Sequence, residues 1–369
     1  MRRMMLLLAL SLPAAALAQE GEAPLGAPLG GATGSPTAAE QTTPAQHAAL
    51  AKRAYAEHIL PRFEAFDAAA AALAETAKAN CTPENPELRE AYQAAFDAWM
   101  GVQHLRMGPT EVEDRAFAMA FWPDTKGRTP AGLNALLAKK DAAVATVEGI
   151  ANQSIAVRGL FALDYLLYDP AAVAAGAESP YGCALIEGIT GDIARIADEF
   201  EAAWAGPYGE IFLTAGAPGN TVYMTPKETT AALFTALMTG LEFNKDQRLG
   251  RPMGTFDAPT PMRAEARRSD RPQRNVILSL QSLTELAKIL AEAATPEAVE
   301  KTDLATGRAV RLAQNLDDPR FEGVATPSGR LHLEQDQQAI AAVSTAMLQY
   351  VGPPLGVAQG FNALDGDGG

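Results

Sequence analysis

The stretch Arg158 to Asp169, RGLFALDYLLYD, sets a glycine, an aromatic ring and a carboxylate at Gly159, Phe161 and Asp164. On a helix the last two lie three apart on one face, the spacing at which an imidazole and a carboxylate share a metal ion or a bound ligand. Here the ring is phenylalanine, which coordinates nothing. Asp164 alone is a weak metal ligand, because borderline ions favour imidazole and hard ions need several oxygens. Histidine is scarce: His47, His58, His104 and His332 are the whole supply, and no HExxH or ExxH pair occurs among them. There is also no GxSxG elbow and no glycine-rich phosphate loop. Helix-borne zinc hydrolases, di-iron carboxylate bundles and serine hydrolases of the common kinds are thereby excluded.

Two irregular segments could also aim side chains into a cleft. They are Gln103-His104-Leu105-Arg106-Met107-Gly108-Pro109 and Phe121-Trp122-Pro123-Asp124. Each joins a backbone punctuator to charged or aromatic residues at a helix end. Arg106 suits an anion and Asp124 a cation; the alternative is that the two form a salt bridge sealing one end of a bundle. His104 reads as a surface or boundary histidine.

Helices must position these groups. Thr43 as N-cap and Pro44 as first helical residue start a helix through Asn80, bent near Pro61. A second runs from Pro86 to Arg106 with Tyr92, Phe96, Trp99 and Gln103 on one stripe. The clearest period is Ile186, Ile189, Ile193, Ile196, Phe200 and Trp204, a core face. Further helices are expected near 130–151, 153–168, 226–249, 273–293, 296–315 and 330–351, with caps at Thr225-Pro226 and Thr295-Pro296. Alternating strand patterns are scarce. The expected fold is all-α, with an N-terminal helical bundle over 44–204 and a C-terminal one over 205–352. Residues 19–43 read as a flexible linker and 353–369 as a flexible tail.

The first eighteen residues, MRRMMLLLALSLPAAALA, read as a secretory signal cut after Ala18, followed by no transmembrane span in the mature chain. The expected location is a bacterial periplasm. Loss of Arg2 and Arg3 takes the formal charge from −14 to −16, which excludes nucleic acid as a partner. Cys81 and Cys183 are the only cysteines. In an oxidising compartment they are expected to pair; two separate buried thiols are the alternative.

The order Q-x-x-R-x-G-P, F-W-P-D and G-x-x-x-x-(D/E)-Y-L-L, followed by LEFNKDQRLGRPMG and AEARRSDRPQRNVILSLQSL, resembles the imelysin family over roughly 45–350. The resemblance implies two helical bundles related by a pseudo-repeat, export to the envelope and a link to iron supply. It also implies a site at the family's GxHxxE hallmark, which here reads GxFxxD at Gly159, Phe161 and Asp164. The implied cleft holds Arg106, Asp124, Gly159, Asp164, Glu265 and Ser269, with Asp164 as the one candidate metal ligand and iron or another divalent metal as the implied cofactor. The implied function is an exported binding or accessory protein of iron or haem-iron acquisition, its partners a small anionic ligand, a metal or metal chelate, and other envelope iron-uptake proteins. An active metallopeptidase, which the loss of the histidine disfavours, and a polysaccharide- or peptide-binding helical protein are the alternatives.

Overall fold

The structure, a computed structural model, describes residues 42–357, so the expected signal segment and most of the expected linker and tail lie outside the described residues. Among the described residues there is no strand. The principal helices are α1 (Pro44–Ala54), α2 (Leu60–Ala79), α3 (Pro86–Val102), α4 (Arg128–Lys139), α5 (Gly159–Tyr168), α6 (Pro180–Ala205), α7 (Pro226–Glu242), α8 (Pro272–Glu292), α9 (Pro296–Asn315) and α10 (Pro327–Ala346). None is long and apolar enough to cross a membrane.

A recurring start signal fixes many of these boundaries. Thr43, Asn85, Ser179, Thr295 and Thr326 each accept a backbone N–H of the first turn on the side-chain oxygen, and each is followed by proline. Proline costs nothing there because its missing N–H would have had no partner. At Thr225 the hydroxyl instead donates to Glu228 Oε1 at 3.1 Å.

Proline also explains the breaks. Between α1 and α2 the chain makes a π turn over Tyr55–Ile59, with the Leu60 N–H reaching back to the Tyr55 carbonyl. Pro61 follows and can supply no N–H of its own, so the widened turn takes up the bend expected from sequence. Similar π turns at Phe243–Leu249 and Met347–Val351 precede Pro252 and Pro353. Three expected helices are shorter than their patterns: the one from Pro86 ends at Val102 rather than Arg106, with Gln103 as its C-cap. The one near 130–151 ends at α4, where Lys140 turns left-handed at φ 54°, and resumes as a short piece at Val147–Ala151. The one near 153–168 begins only at Gly159, after a 3-10 turn at Ile155–Val157 and an extended Arg158.

The core follows the hydrophobic stripes. Ile186, Ile189, Ile193, Ile196, Phe200 and Trp204 of α6 are fully buried, where α6 packs on α2 and α5. Helix α3 packs on α2 and, with its other side, on α8; α8 packs on α9, α9 on α10, and α1 against α7. Cys81, just after α2, is bonded to Cys183 in the first turn of α6, with Cα atoms 5.1 Å apart. That crosslink ties the end of one core helix to the start of the helix it packs against.

Candidate functional site

Helix α5 starts where little else fits. Gly159 has φ +69°, and a Cβ there would stand 2.2 Å from the Ala118 carbonyl oxygen and 2.3 Å from that of Met119. Glycine is thus required both by backbone and by contact. One turn on, Asp164 is fully buried. Its Oδ1 accepts the Ser269 hydroxyl at 2.5 Å and its Oδ2 accepts Arg268 Nη1 at 3.4 Å. Arg268 Nε is bonded to Asp169 at 2.6 Å and its guanidinium lies over the Tyr165 ring. Burial pushes the Asp164 carboxyl above the usual range, and Ser269 and Arg268 only partly counter it.

Phe161 packs edge-on to Phe96, with ring centres 5.6 Å apart, and is stacked with Trp122 at 6.5 Å. A metal ion at this place would meet a phenyl ring, a carboxylate already bonded to a hydroxyl and a guanidinium, and the positive charge of Arg268. These residues do not fit a metal. Among the described residues the one group of three neighbouring potential ligands is Cys81, Cys183 and Glu187, whose sulfurs are already joined to each other.

A second buried network stands beside the first. Arg248, in the π turn after α7, is fully buried and gives Nε to Glu265 Oε2 at 2.6 Å, Nη1 to Asn244 at 3.1 Å and Nη2 to Gln103 at 2.5 Å. Asn275 joins the networks: its Nδ2 donates to Glu265 at 2.8 Å and its Oδ1 accepts Arg271 Nε at 3.0 Å. Arg271, also fully buried, pairs with Asp97 at 2.7 Å and donates to Gln93. Gln93 in turn donates to the Ser269 carbonyl at 3.1 Å. Carboxylate, amide and guanidinium groups from α3 and its C-terminal end, α5, the π turn after α7, α8 and the segment before α8 thus form one connected polar seam, each buried charge having a partner.

Two cavities flank Trp122. The larger, about 670 Å³, is lined by Phe121, Trp122, Asp124, Phe161 and the arginines 251, 263, 267 and 268. The smaller, about 120 Å³, is lined by Gln103, His104, Arg106, Trp122, Arg248 and Glu265 among others. Arg106 and Asp124 do not bond to each other. Arg106 pairs with Glu111 at 2.5 Å and covers the Phe117 ring. Asp124 accepts the backbone N–H groups of Lys126, Arg128 and Thr129, capping the approach to α4. Burial opposes ionisation of Asp124, but those N–H groups outweigh it and hold the carboxyl below its usual range. Of the residues picked out in the sequence, Asp164 and Ser269 touch, Arg106 and Glu265 share the smaller cavity, Asp124 lines the larger one, and Gly159 packs against backbone.

His104 is buried, contrary to the expectation of a surface or boundary position. Its Nε2 is 2.9 Å from Nε2 of His58, whose Nδ1 accepts Arg62 Nε at 3.1 Å. His58 therefore carries its proton on Nε2, and His104 carries its own on Nδ1, which has no partner among the described residues. Burial lowers both basicities, most strongly that of His104.

The sequence reading did not single out Arg248, Arg251, Arg263, Arg267, Arg268 or Arg271. A signal was available: arginines stand at 263, 267, 268, 271 and 274 in a chain of formal charge −14.

No curated protein is similar enough to match. An imelysin-like protein from Psychrobacter arcticum 273-4 shares the fold with a TM-score of 0.71 at 16% identity, over 88% of this chain and 99% of that one. A protein from Parabacteroides distasonis ATCC 8503, named as an iron-regulated protein A precursor, does so with a TM-score of 0.67 at 11% identity, over 86% and 95%. The imelysin family model matches residues 59–347, which contain the polar seam and both cavities. This chain belongs to the imelysin family.

Proposed function

We propose that the protein is an exported binding or accessory protein of bacterial iron or haem-iron supply and that it does not cleave peptides. The observation that carries the reading is the state of the hallmark position: Phe161 offers no ligand atom, and Asp164 is bonded to Ser269 and Arg268. A hydrolytic metal needs several protein ligands and an open position. The cavities beside Trp122, with Arg106 and Glu265 in one and Asp124 in the other, supply enclosed space instead. Gly159, Asp164 and Ser269 then act as the frame that holds the cavity walls in place. The disulfide suits an oxidising compartment such as the periplasm. The link to iron rests on the family resemblance and on the name of the Parabacteroides relative.

The test is protein level in the native periplasm under iron starvation, with metal analysis of the protein isolated from it. A rise in level, with iron recovered in chelated form, is expected. A level indifferent to iron and a protein free of it would overturn the iron assignment. Incubation with an unfolded protein substrate, with and without chelator, is expected to give no cleavage; chelator-sensitive cleavage would restore the peptidase reading.

A further inference from the structure

We propose that the larger cavity binds a small ligand that carries two or more oxyanion groups, carboxylate or phosphate, on a flat aromatic body. The inference rests on the reading of the chain as a binding protein and names the chemical class that it binds.

The charge of the cavity runs against that of the chain. Four arginines, 251, 263, 267 and 268, line it beside one acid, Asp124, in a protein of formal charge −14. Arg268 is matched by Asp164 and Asp169. Arg251, Arg263 and Arg267 have no carboxylate partner among the described residues, whereas the buried Arg248 and Arg271 are each paired with one. Asp124 does not neutralise them, because its oxygens are committed to three backbone N–H groups. Guanidinium groups left unmatched around a concavity are suited to bidentate recognition of carboxylate or phosphate.

Arg251 carries the sharpest sign of a missing partner. Its Nε is buried and donates to no group among the described residues. Buried donors are almost always satisfied, so an acceptor is expected to enter from the cavity. Its guanidinium lies 5.8 Å from the Trp122 ring centre, which holds it at the wall. Burial, and next the charge of Arg263, make its protonated form harder to hold. An anion between the two would offset their repulsion and favour the charged form that burial disfavours.

The remaining wall is aromatic. Trp122 and Phe161 are within 14° of parallel, and Phe121 lines the same space. Met262, largely exposed, stands at the edge. Rings and cations lining one concavity fit a ligand with a flat face and a charged rim. The volume of about 670 Å³ admits such a small molecule. A nucleic acid is a poor occupant, since the acidic whole repels an extended phosphate chain.

The experiment titrates the full mature chain with benzene-1,3,5-tricarboxylate, phenyl phosphate, citrate and benzyl alcohol, read by calorimetry and, in a Trp99→Phe, Trp204→Phe background that leaves Trp122 alone, by quenching of its fluorescence. The tricarboxylate is expected to bind, more weakly as salt rises, with citrate weaker and benzyl alcohol not detected. Arg251→Gln and Arg263→Gln should each weaken the tricarboxylate about tenfold or more, with circular dichroism unchanged, and Arg53→Gln, on α1, should not. Phenyl phosphate, with a single oxyanion group, is expected to bind more weakly than the tricarboxylate; binding as tight would overturn the requirement for two groups. The proposal is overturned by failure of the tricarboxylate to bind, by binding unchanged in both arginine variants, or by citrate equal to the tricarboxylate. Binding of the tricarboxylate by a protein that does not respond to iron would leave this site standing and remove only the iron assignment.

Discussion

At Gly159 and Glu265 single side chains decide whether the polar seam holds. Gly159→Ala must place a methyl group against two carbonyl oxygens and keep a positive φ. The left-handed backbone alone costs a non-glycine residue about 1–2 kcal/mol, so a total of at least about 2 kcal/mol is expected in urea unfolding. Glu265→Ala strands Arg248 as an uncompensated buried cation, a class of change that costs about 3–5 kcal/mol. Glu265→Gln, which keeps an acceptor for Arg248 and Asn275, should cost distinctly less; equal losses would contradict the pairing. The individual groups were unevenly legible in the sequence. Gly159, Phe161 and Asp164 stood out because their spacing along one helix is local. Arg248 did not, since its partners Gln103 and Glu265 lie 145 and 17 positions away and no local period links them.

Helix boundaries were the readable part at the next scale, because caps and prolines act within a few residues. The starts at Thr43-Pro44 and Thr295-Pro296 and the bend at Pro61 are instances, whereas the Ser179-Pro180 start of α6 was not read. What that bend holds was not readable: it places His58 against His104, which is 46 positions further on. The pair bears on pH. Both imidazoles are held neutral below the ordinary value of 6.5, so the unfolded chain takes up protons that the folded one refuses. Their contribution is complete above 6.5 and is lost as pH falls. Asp336 on α10 acts in the opposite direction. Burial raises its carboxyl from 3.8 to about 7, and its Oδ2 has no partner among the described residues. Between those values the folded chain holds a proton that the unfolded chain releases, so stability falls as pH rises through that window. Asp336→Asn should therefore raise the urea midpoint at pH 8. It should also steepen the loss of stability between pH 7 and pH 5, because the histidine slope is then unopposed. A midpoint with the same pH profile as the wild type would count against the burial of Asp336.

For the whole molecule, the all-α class followed from periodicities such as Ile186 to Trp204, and the family followed from motif order. The cavity lining did not, because five arginines within 263–274 look in sequence like a solvated charged run, and only the folded chain shows which of them face Trp122. The Cys81–Cys183 bond closes a separation of 102 positions. Loss of a native crosslink typically costs about 2–5 kcal/mol, and Cys81→Ala with Cys183→Ala should lower the urea midpoint accordingly, as should reductant on the wild type. The seam has a further consequence, one of timing. Asp164 is synthesised 105 positions ahead of Ser269, and Gln93 is made 178 ahead of Arg271. A nascent or truncated chain that stops after α6 lacks both donors of Asp164 and the Arg267–Ser269 turn that packs on α5, so the apolar face of α5 is left uncovered. The first half of the chain therefore has to wait for the second, and attempts to dissect the protein into separately expressed pieces should return the first piece unfolded or bound to a chaperone.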